Sequence, residues 1–427
     1  MQVIKSTLQN GLRVLTVPMP SLESATITVW VGVGSRFENQ KVSGISHFLE
    51  HMVFKGGQKY KTAQEISSAV DAMGAEFNAA TSQEWTNFYI RARVGLLDQA
   101  CEVLADMLLT PQLRPEDISR ESGVIVEELN MYEDNPMYKI GNLFQEVVFE
   151  GNPLSWDIGG TKETVKSIKH QDFIDFRQKY YHPSNIVITV AGNVDKDKVF
   201  EIASKYFGKL GIDSYKREFD GFSISQSSPR STTAFKKIEQ AHLIVGFFGN
   251  KMGSEDRFTE EVLSVILGGG MSSRLFSEVR EKRGLAYSVR TSVDNFLDTG
   301  TISTYAAVDP GKAREALEVI LEGHRNLTDS KIAKISAEEL SKAKEYIKGH
   351  IALSLENTSA VDSFFGHQEI LLGKTETPEE VFDGIDKVSV EDITSLANDK
   401  FTKTSLNLAV VGPFEDGNEF QKVLQSQ

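Results

Sequence analysis

The chain has 427 residues, 46 of them Lys or Arg and 60 Asp or Glu, for a formal net charge of −14. That balance argues against a nucleic-acid binder, because phosphates would be repelled and no run of basic residues concentrates positive charge. Hydrophobic content of 40% and charged content of 25% fit a globular protein of two or three domains; no apolar stretch is long enough to span a bilayer, and a single cysteine, Cys101, excludes an intramolecular disulfide.

The first elements read as strands. Met1-Gln2-Val3-Ile4-Lys5-Ser6-Thr7 leads into Leu12-Arg13-Val14-Leu15-Thr16-Val17, an alternating run with neither a signal-peptide core nor an Arg-rich transit segment, so a cytoplasmic location is expected. Ala25-Thr26-Ile27-Thr28-Val29-Trp30-Val31 alternates in the same way. His47-Phe48-Leu49-Glu50-His51 then changes the period. At about 100° per residue, His47, Glu50, His51 and Phe54 fall within one arc of a helix, while Ile45, Phe48, Leu49, Met52 and Val53 point the opposite way. Neutral imidazoles bind Zn²⁺, and a carboxylate beside an open coordination position can take a proton from water. Two ligands leave such a site incomplete, so a third must come from another segment. The other histidines, His170, His182, His242, His324, His350 and His367, are read as satisfied core or surface residues.

Asn78-Ala79-Ala80-Thr81-Ser82 reads, taken alone, as an ordinary sheet edge. Arg114-Pro115-Glu116-Asp117 opens a helix, with proline and acids early, and Val124, Ile125 and Leu129 supply its apolar spacing. Glu121 and Glu128, seven apart, share one face of it, although acidic helix faces are mostly solvated. Leu267-Gly268-Gly269-Gly270-Met271-Ser272 lacks the spacing of a phosphate-binding loop and is read as a hinge or a place of close backbone approach.

The chain also repeats itself. Val165, Ile168, Asp172, Phe173 and Phe176 correspond to Ile385, Val388, Asp392, Ile393 and Leu396 at a constant offset of 220, and both copies run into strands that end at Gly192 and Gly412. Glu116-Asp117-Ile118-Ser119 pairs with Glu338-Glu339-Leu340-Ser341 at an offset of 222, which sets Glu121 and Glu128 against Ala343 and His350. Leu263-Ser264-Val265-Ile266-Leu267, opposite the His47 helix, has no histidine pair, so only the first copy can assemble a metal site. The expected organisation is a domain over 1–211, a polar, serine-rich linker over 212–231 and a homologous domain over 232–427. Strands such as His242-Leu243-Ile244-Val245-Gly246-Phe247, mixed with amphipathic helices, predict an α+β fold with helices on a mainly antiparallel sheet.

The run from Ser35-Arg36-Phe37-Glu38 through Gly44-Ile45-Ser46-His47-Phe48-Leu49-Glu50-His51-Met52-Val53-Phe54-Lys55-Gly56 resembles the zinc-site region of the pitrilysin family, which includes insulin-degrading enzyme and the mitochondrial processing peptidases; its His-x-x-Glu-His order is the inverzincin pattern. In that family the third ligand is a glutamate roughly eighty residues after the second histidine, with another glutamate seven residues before it. Glu128 follows His51 by 77 residues and Glu121 precedes it by seven. The resemblance therefore implies one Zn²⁺ per chain on His47, His51 and Glu128, with Glu50 as general base and Glu121 as support, and it argues against the adjacent Glu127.

The resemblance runs almost end to end. It implies that an extended peptide lies along the strand Asn78, Ala79, Ala80 and Thr81, and that Arg280 and Tyr287, in Val279-Arg280-Glu281-Lys282-Arg283-Gly284-Leu285-Ala286-Tyr287-Ser288, reach the substrate at the metal. Arg283 is read as a surface or structural charge. Two α/β-roll domains facing each other across a cleft are expected, with a peptide as substrate and a homodimer, or pairing with a homologous subunit, as the assembly. A zinc endopeptidase for short or unfolded chains is the function implied. The alternatives are a non-catalytic relative acting as scaffold or partner subunit, and a purely structural zinc site.

Overall fold

The computed structural model describes residues 1–212 and 215–426, so Asp213 and Ser214 of the expected linker lie outside the described residues. The chain forms two compact units: Met1–Asn130, Trp156–Asp220 and Ala352–Glu379 make the first, and Met131–Ser155, Gly221–Ile351 and Glu380–Gln427 make the second. Each unit draws a helix from the other half of the sequence.

The first unit holds a six-stranded sheet of β1 (Ile4–Thr7), β2 (Arg13–Pro18), β3 (Ser24–Val31), β4 (Glu76–Thr81), β5 (Thr86–Arg93) and β6 (Ile186–Gly192). Its spatial order is β1-β2-β6-β3-β5-β4, with β2 and β6 parallel and every other pair antiparallel. The second unit holds β7 (Arg230–Phe235), β8 (Ala241–Gly249), β9 (Ala286–Asn295), β10 (Gly300–Val308) and β11 (Asn407–Gly412) in the order β7-β11-β8-β10-β9. Only β7 and β11 are parallel there. Apart from β1, the two sheets follow the same order. The strands related by the 220-residue offset, β6 and β11, sit at the same place in each, and the helices before them, His170–Tyr180 and Val390–Lys400, begin at the same offset.

The alternation in β2 and β3 does not divide a wet face from a dry one. Every residue of β3 after Ser24 is buried, as is the middle of β2. Val29 and Val31 border Leu108 and Leu109 of the helix Leu97–Leu109, whereas Thr26, Thr28 and Trp30 turn to the helix Thr358–Leu372. That helix carries polar groups matched to theirs: Thr358 Oγ1 lies 2.8 Å from Thr26 Oγ1, and Asp362 Oδ1 accepts from Thr189 at 2.6 Å, whose hydroxyl accepts from Trp30 Nε1 at 3.0 Å. Glu369, fully buried, receives Lys5 at 2.6 Å and Arg13 at 2.8 Å. Hydrogen bonding of this kind offsets much of the cost of burying a half-polar strand face.

In the second unit, Pro136–Val148 packs Ile140 and Phe144 against one face of the sheet, with Phe248, Ala409 and Val411. Leu243, Val245, Phe247, Leu408 and Val410 join a larger core with the helices Arg257–Gly268 and Ala313–Asn326. Both helices taken from the other sequence half approach closely through a glycine. A Cβ on Gly366 would lie 2.2 Å from Trp30 Nε1, and one on Gly246 would lie 2.3 Å from Phe144 Cζ. The run Gly268 to Gly270 is a place of close approach too, since a Cβ on Gly268 would stand 2.6 Å from the Thr291 backbone nitrogen. No helix among the described residues is long and apolar enough to cross a membrane.

Candidate active site

Helix Ile45–Val53 starts from Gly44, whose φ of +94° is a backbone conformation that side chains avoid. Its first N–H groups have no partner inside the helix, and Glu38 supplies one: Oε2 accepts from Gly44 N and Oε1 from Ser46 N, both at 2.7 Å. Ile45, Phe48, Leu49, Met52 and Val53 are buried, as the period predicts, and His47, Glu50 and His51 remain partly exposed on the opposite face.

Helix Pro115–Asp134 carries Glu121 and Glu128 to that face. Glu128 Oε2 lies 3.8 Å from His47 Nε2 and 3.5 Å from His51 Nε2, and one ligating atom from each of the three lies within 4.8 Å of the others. Ligands about 2.0–2.1 Å from a tetrahedral zinc stand about 3.3 Å apart, so side-chain adjustments would be needed to close the set on an ion. Two neutral imidazoles and a carboxylate are also the donor chemistry that zinc accepts. Among the described residues this is the only such group of three. Glu127 is exposed and takes Asn130 Nδ2 instead, at 3.4 Å. Along the same helix Ile125 is buried but Val124 is exposed, contrary to the apolar spacing read from the sequence, because the helix buries a narrower stripe.

Glu121 supports the pair from behind. Its Oε1 lies 3.0 Å from His51 Nδ1 and its Oε2 2.6 Å from Lys55 Nζ. With Nδ1–H donating to a carboxylate, His51 Nε2 keeps its lone pair for a metal. Burial acts to raise Glu121, but the hydrogen bonds from His51 and Lys55 outweigh it and hold the carboxyl below the ordinary glutamate range. His47 is lowered to about 4, by burial first and then by the charge of His51, against the pull of Glu128, so its imidazole is neutral near pH 7. The i,i+4 spacing of His51 and Lys55 was the available signal for the lysine, whereas nothing periodic links Glu38 to the helix it caps.

Glu50 Oε2 accepts a 2.5 Å hydrogen bond from Thr81 Oγ1. Burial raises its pKa, opposed by that hydrogen bond and by His51. Thr81 ends β4, the outermost strand of its sheet, which also carries Asn78, Ala79 and Ala80. Asn78 Oδ1 takes the Ala79 N–H at 2.9 Å, and the Phe77 ring packs 5.5 Å from that of Phe54.

Arg280 and Tyr287 lie together in the second unit. Arg280 belongs to a short π-helix, Phe276–Lys282, and its guanidinium sits 5.4 Å from the centroid of the Tyr287 ring. Tyr287 is 73% exposed. Arg283 faces Glu278 at 3.9 Å.

Residues 13–162 match the sequence family described as Insulinase (Peptidase family M16), and residues 167–347 match the Peptidase M16 inactive domain. An uncharacterized zinc protease of Bacillus subtilis, YmxG, is 36% identical over 407 residues, covering 95% of this chain and 97% of that protein. The chain belongs to peptidase family M16. An uncharacterized zinc protease of Mycobacterium leprae is likewise 36% identical over 414 residues, covering 96% of this M16 chain and 92% of the relative. A protease from Helicobacter pylori, known from its crystal structure, has a TM-score of 0.91 at 25% identity, covering 96% of this chain and 99% of that one. A peptidase M16 inactive domain from Pseudomonas fluorescens shares the fold, with a TM-score of 0.89 at 18% identity, covering 97% of this chain and 98% of that one. Family and relatives indicate a zinc protease of the M16 type. His47, Glu50, His51, Glu121 and Glu128 all fall inside the M16 Insulinase match, and Arg280 and Tyr287 inside the inactive-domain match.

Proposed function

We propose that the chain is a zinc-dependent endopeptidase acting on short or unfolded polypeptides. The observation that carries this reading is that His47, His51 and Glu128 converge while a separate carboxylate on the same helix face, Glu50, is held by the edge strand β4. Closed structural zinc sites use four protein ligands, whereas three ligands with a carboxylate alongside fit an open one.

His47, His51 and Glu128 would hold the ion. Zinc in such a site supplies Lewis-acid activation of water and of the scissile carbonyl at neutral pH. Glu50 takes a proton from the attacking water and returns it to the leaving amine, a task favoured by the partial burial that raises its basicity. A substrate strand adds to the outer edge of β4 beside Asn78, Ala79, Ala80 and Thr81, and a chain must be extended to add in that way. Short or unfolded chains, which reach that form at little cost, are favoured over folded proteins.

The test uses the purified protein loaded with zinc and a quenched, unstructured peptide. Wild type binds one zinc per chain and cleaves; Glu50→Gln keeps the zinc and loses hydrolysis. Full turnover by Glu50→Gln overturns the role of the base. A zinc-loaded wild type that cleaves nothing in a mixed peptide library is a non-catalytic scaffold or partner subunit instead.

A further inference from the structure

We propose that Thr81 is a positioning residue for Glu50, and that the run Ser35-Arg36-Phe37-Glu38 is the strut that keeps the two in register; the inference rests on the peptidase reading of Glu50. Three sets of contacts lead to it. Thr81 Oγ1 donates to Glu50 Oε2 at 2.5 Å, which occupies one carboxylate oxygen and leaves Oε1 for proton transfer. A glutamate side chain has three rotatable bonds, and a charge-assisted hydrogen bond to one oxygen restricts where the other can point.

The hairpin that ends in Thr81 is itself anchored. Ser82 N bonds Trp85 O at 2.8 Å to close the turn, Ser35 N bonds Ser82 O at 3.2 Å, and Arg36 N bonds Gln83 O at 2.9 Å. The Arg36 guanidinium, buried, pairs with Glu84 at 2.6 Å. Gly34 lies so close to this turn that a Cβ there would stand 2.0 Å from Ser82 O.

The other end of the same segment grips the helix that carries the base. Glu38 accepts the N–H groups of Gly44 and Ser46 with its two oxygens. Residues 35–38 therefore touch both the tip of the β4-β5 hairpin and the first turn of helix Ile45–Val53, and Thr81 closes the ring onto Glu50. A ring of this kind fixes the base before substrate arrives. It also ties the base to β4, the strand proposed to receive the peptide, so docking and proton transfer share one rigid element.

The experiment compares zinc-loaded wild type with Thr81→Val, which keeps the shape and loses the hydroxyl, and Thr81→Ser, which keeps the hydroxyl. On the quenched peptide, Thr81→Val lowers kcat by about 10- to 100-fold with KM little changed, and Thr81→Ser restores most of it. Zinc content and melting temperature match wild type in both. In a crystal structure of Thr81→Val the Glu50 carboxylate leaves its place. A kcat close to wild type, a loss confined to KM, or a Glu50 carboxylate that stays in place in Thr81→Val overturns the positioning role. A wild type that binds zinc and cleaves nothing overturns the peptidase reading instead, and the crystal structure of Thr81→Val still decides what Thr81 does.

Discussion

Glu121 Oε1 lies 3.0 Å from His51 Nδ1, on the far side of the imidazole from Nε2, which stands 3.5 Å from Glu128 Oε2. The glutamate thus selects the tautomer that presents a lone pair toward Glu128. Glu121→Gln keeps the shape but removes the charge, and we expect zinc affinity to fall by about 10- to 100-fold. Competition with a chromophoric chelator measures it, and an unchanged dissociation constant would show that His51 is oriented by something else.

Zinc itself should stabilise the fold. His47 and His51 lie on one helix and Glu128 on another, so an ion held by all three binds the folded chain alone. At a free zinc concentration a hundred times the dissociation constant the gain is about 2.7 kcal/mol. Chelation should lower the melting temperature, and added zinc should restore it. His51→Ala should abolish that response, and a variant that still responds would place the ion elsewhere.

Burial raises Asp362 from 3.8 to about 7, against the hydrogen bonds of Thr189 and Thr28. The folded chain therefore holds a proton that the unfolded chain has released, so this group's contribution to stability is full below 3.8 and lost as pH rises toward 7. The slope is about 1.4 kcal/mol per pH unit within that window. Asp362→Asn removes it, and the variant should gain on wild type between pH 4 and 7 in denaturant titrations. A constant difference across that range would mean that Asp362 is ionised throughout.

Gly366→Ala should destabilise the first unit and Gly246→Ala the second, each by about 1–3 kcal/mol, because the added methyl meets Trp30 or Phe144 at less than van der Waals distance. Thermal or chemical denaturation tests both. A Gly366→Ala protein as stable as wild type would show that the helix Thr358–Leu372 can shift on its sheet.

What the sequence determined by itself was whatever repeats locally or at a constant offset. The helix at Ile45–Val53 is legible because burial of Phe48, Leu49 and Met52 obeys a 3.6-residue period. The 220-residue offset that pairs Ile186–Gly192 with Asn407–Gly412 already marks these two strands as equivalent, and they hold the same place in the two sheets. The place of Glu128 needed the family spacing as well, since an acidic helix face alone does not distinguish a ligand from a solvated charge. Tertiary structure alone decided which groups cover those elements. The threonines of β3 look solvent-facing until Thr358, 332 residues from Thr26, brings a hydroxyl to meet them. Thr81 reaches Glu50 across 31 residues, and Glu38 reaches Ser46 across eight, through hydrogen bonds that depend on direction and distance in space and leave no period in the chain.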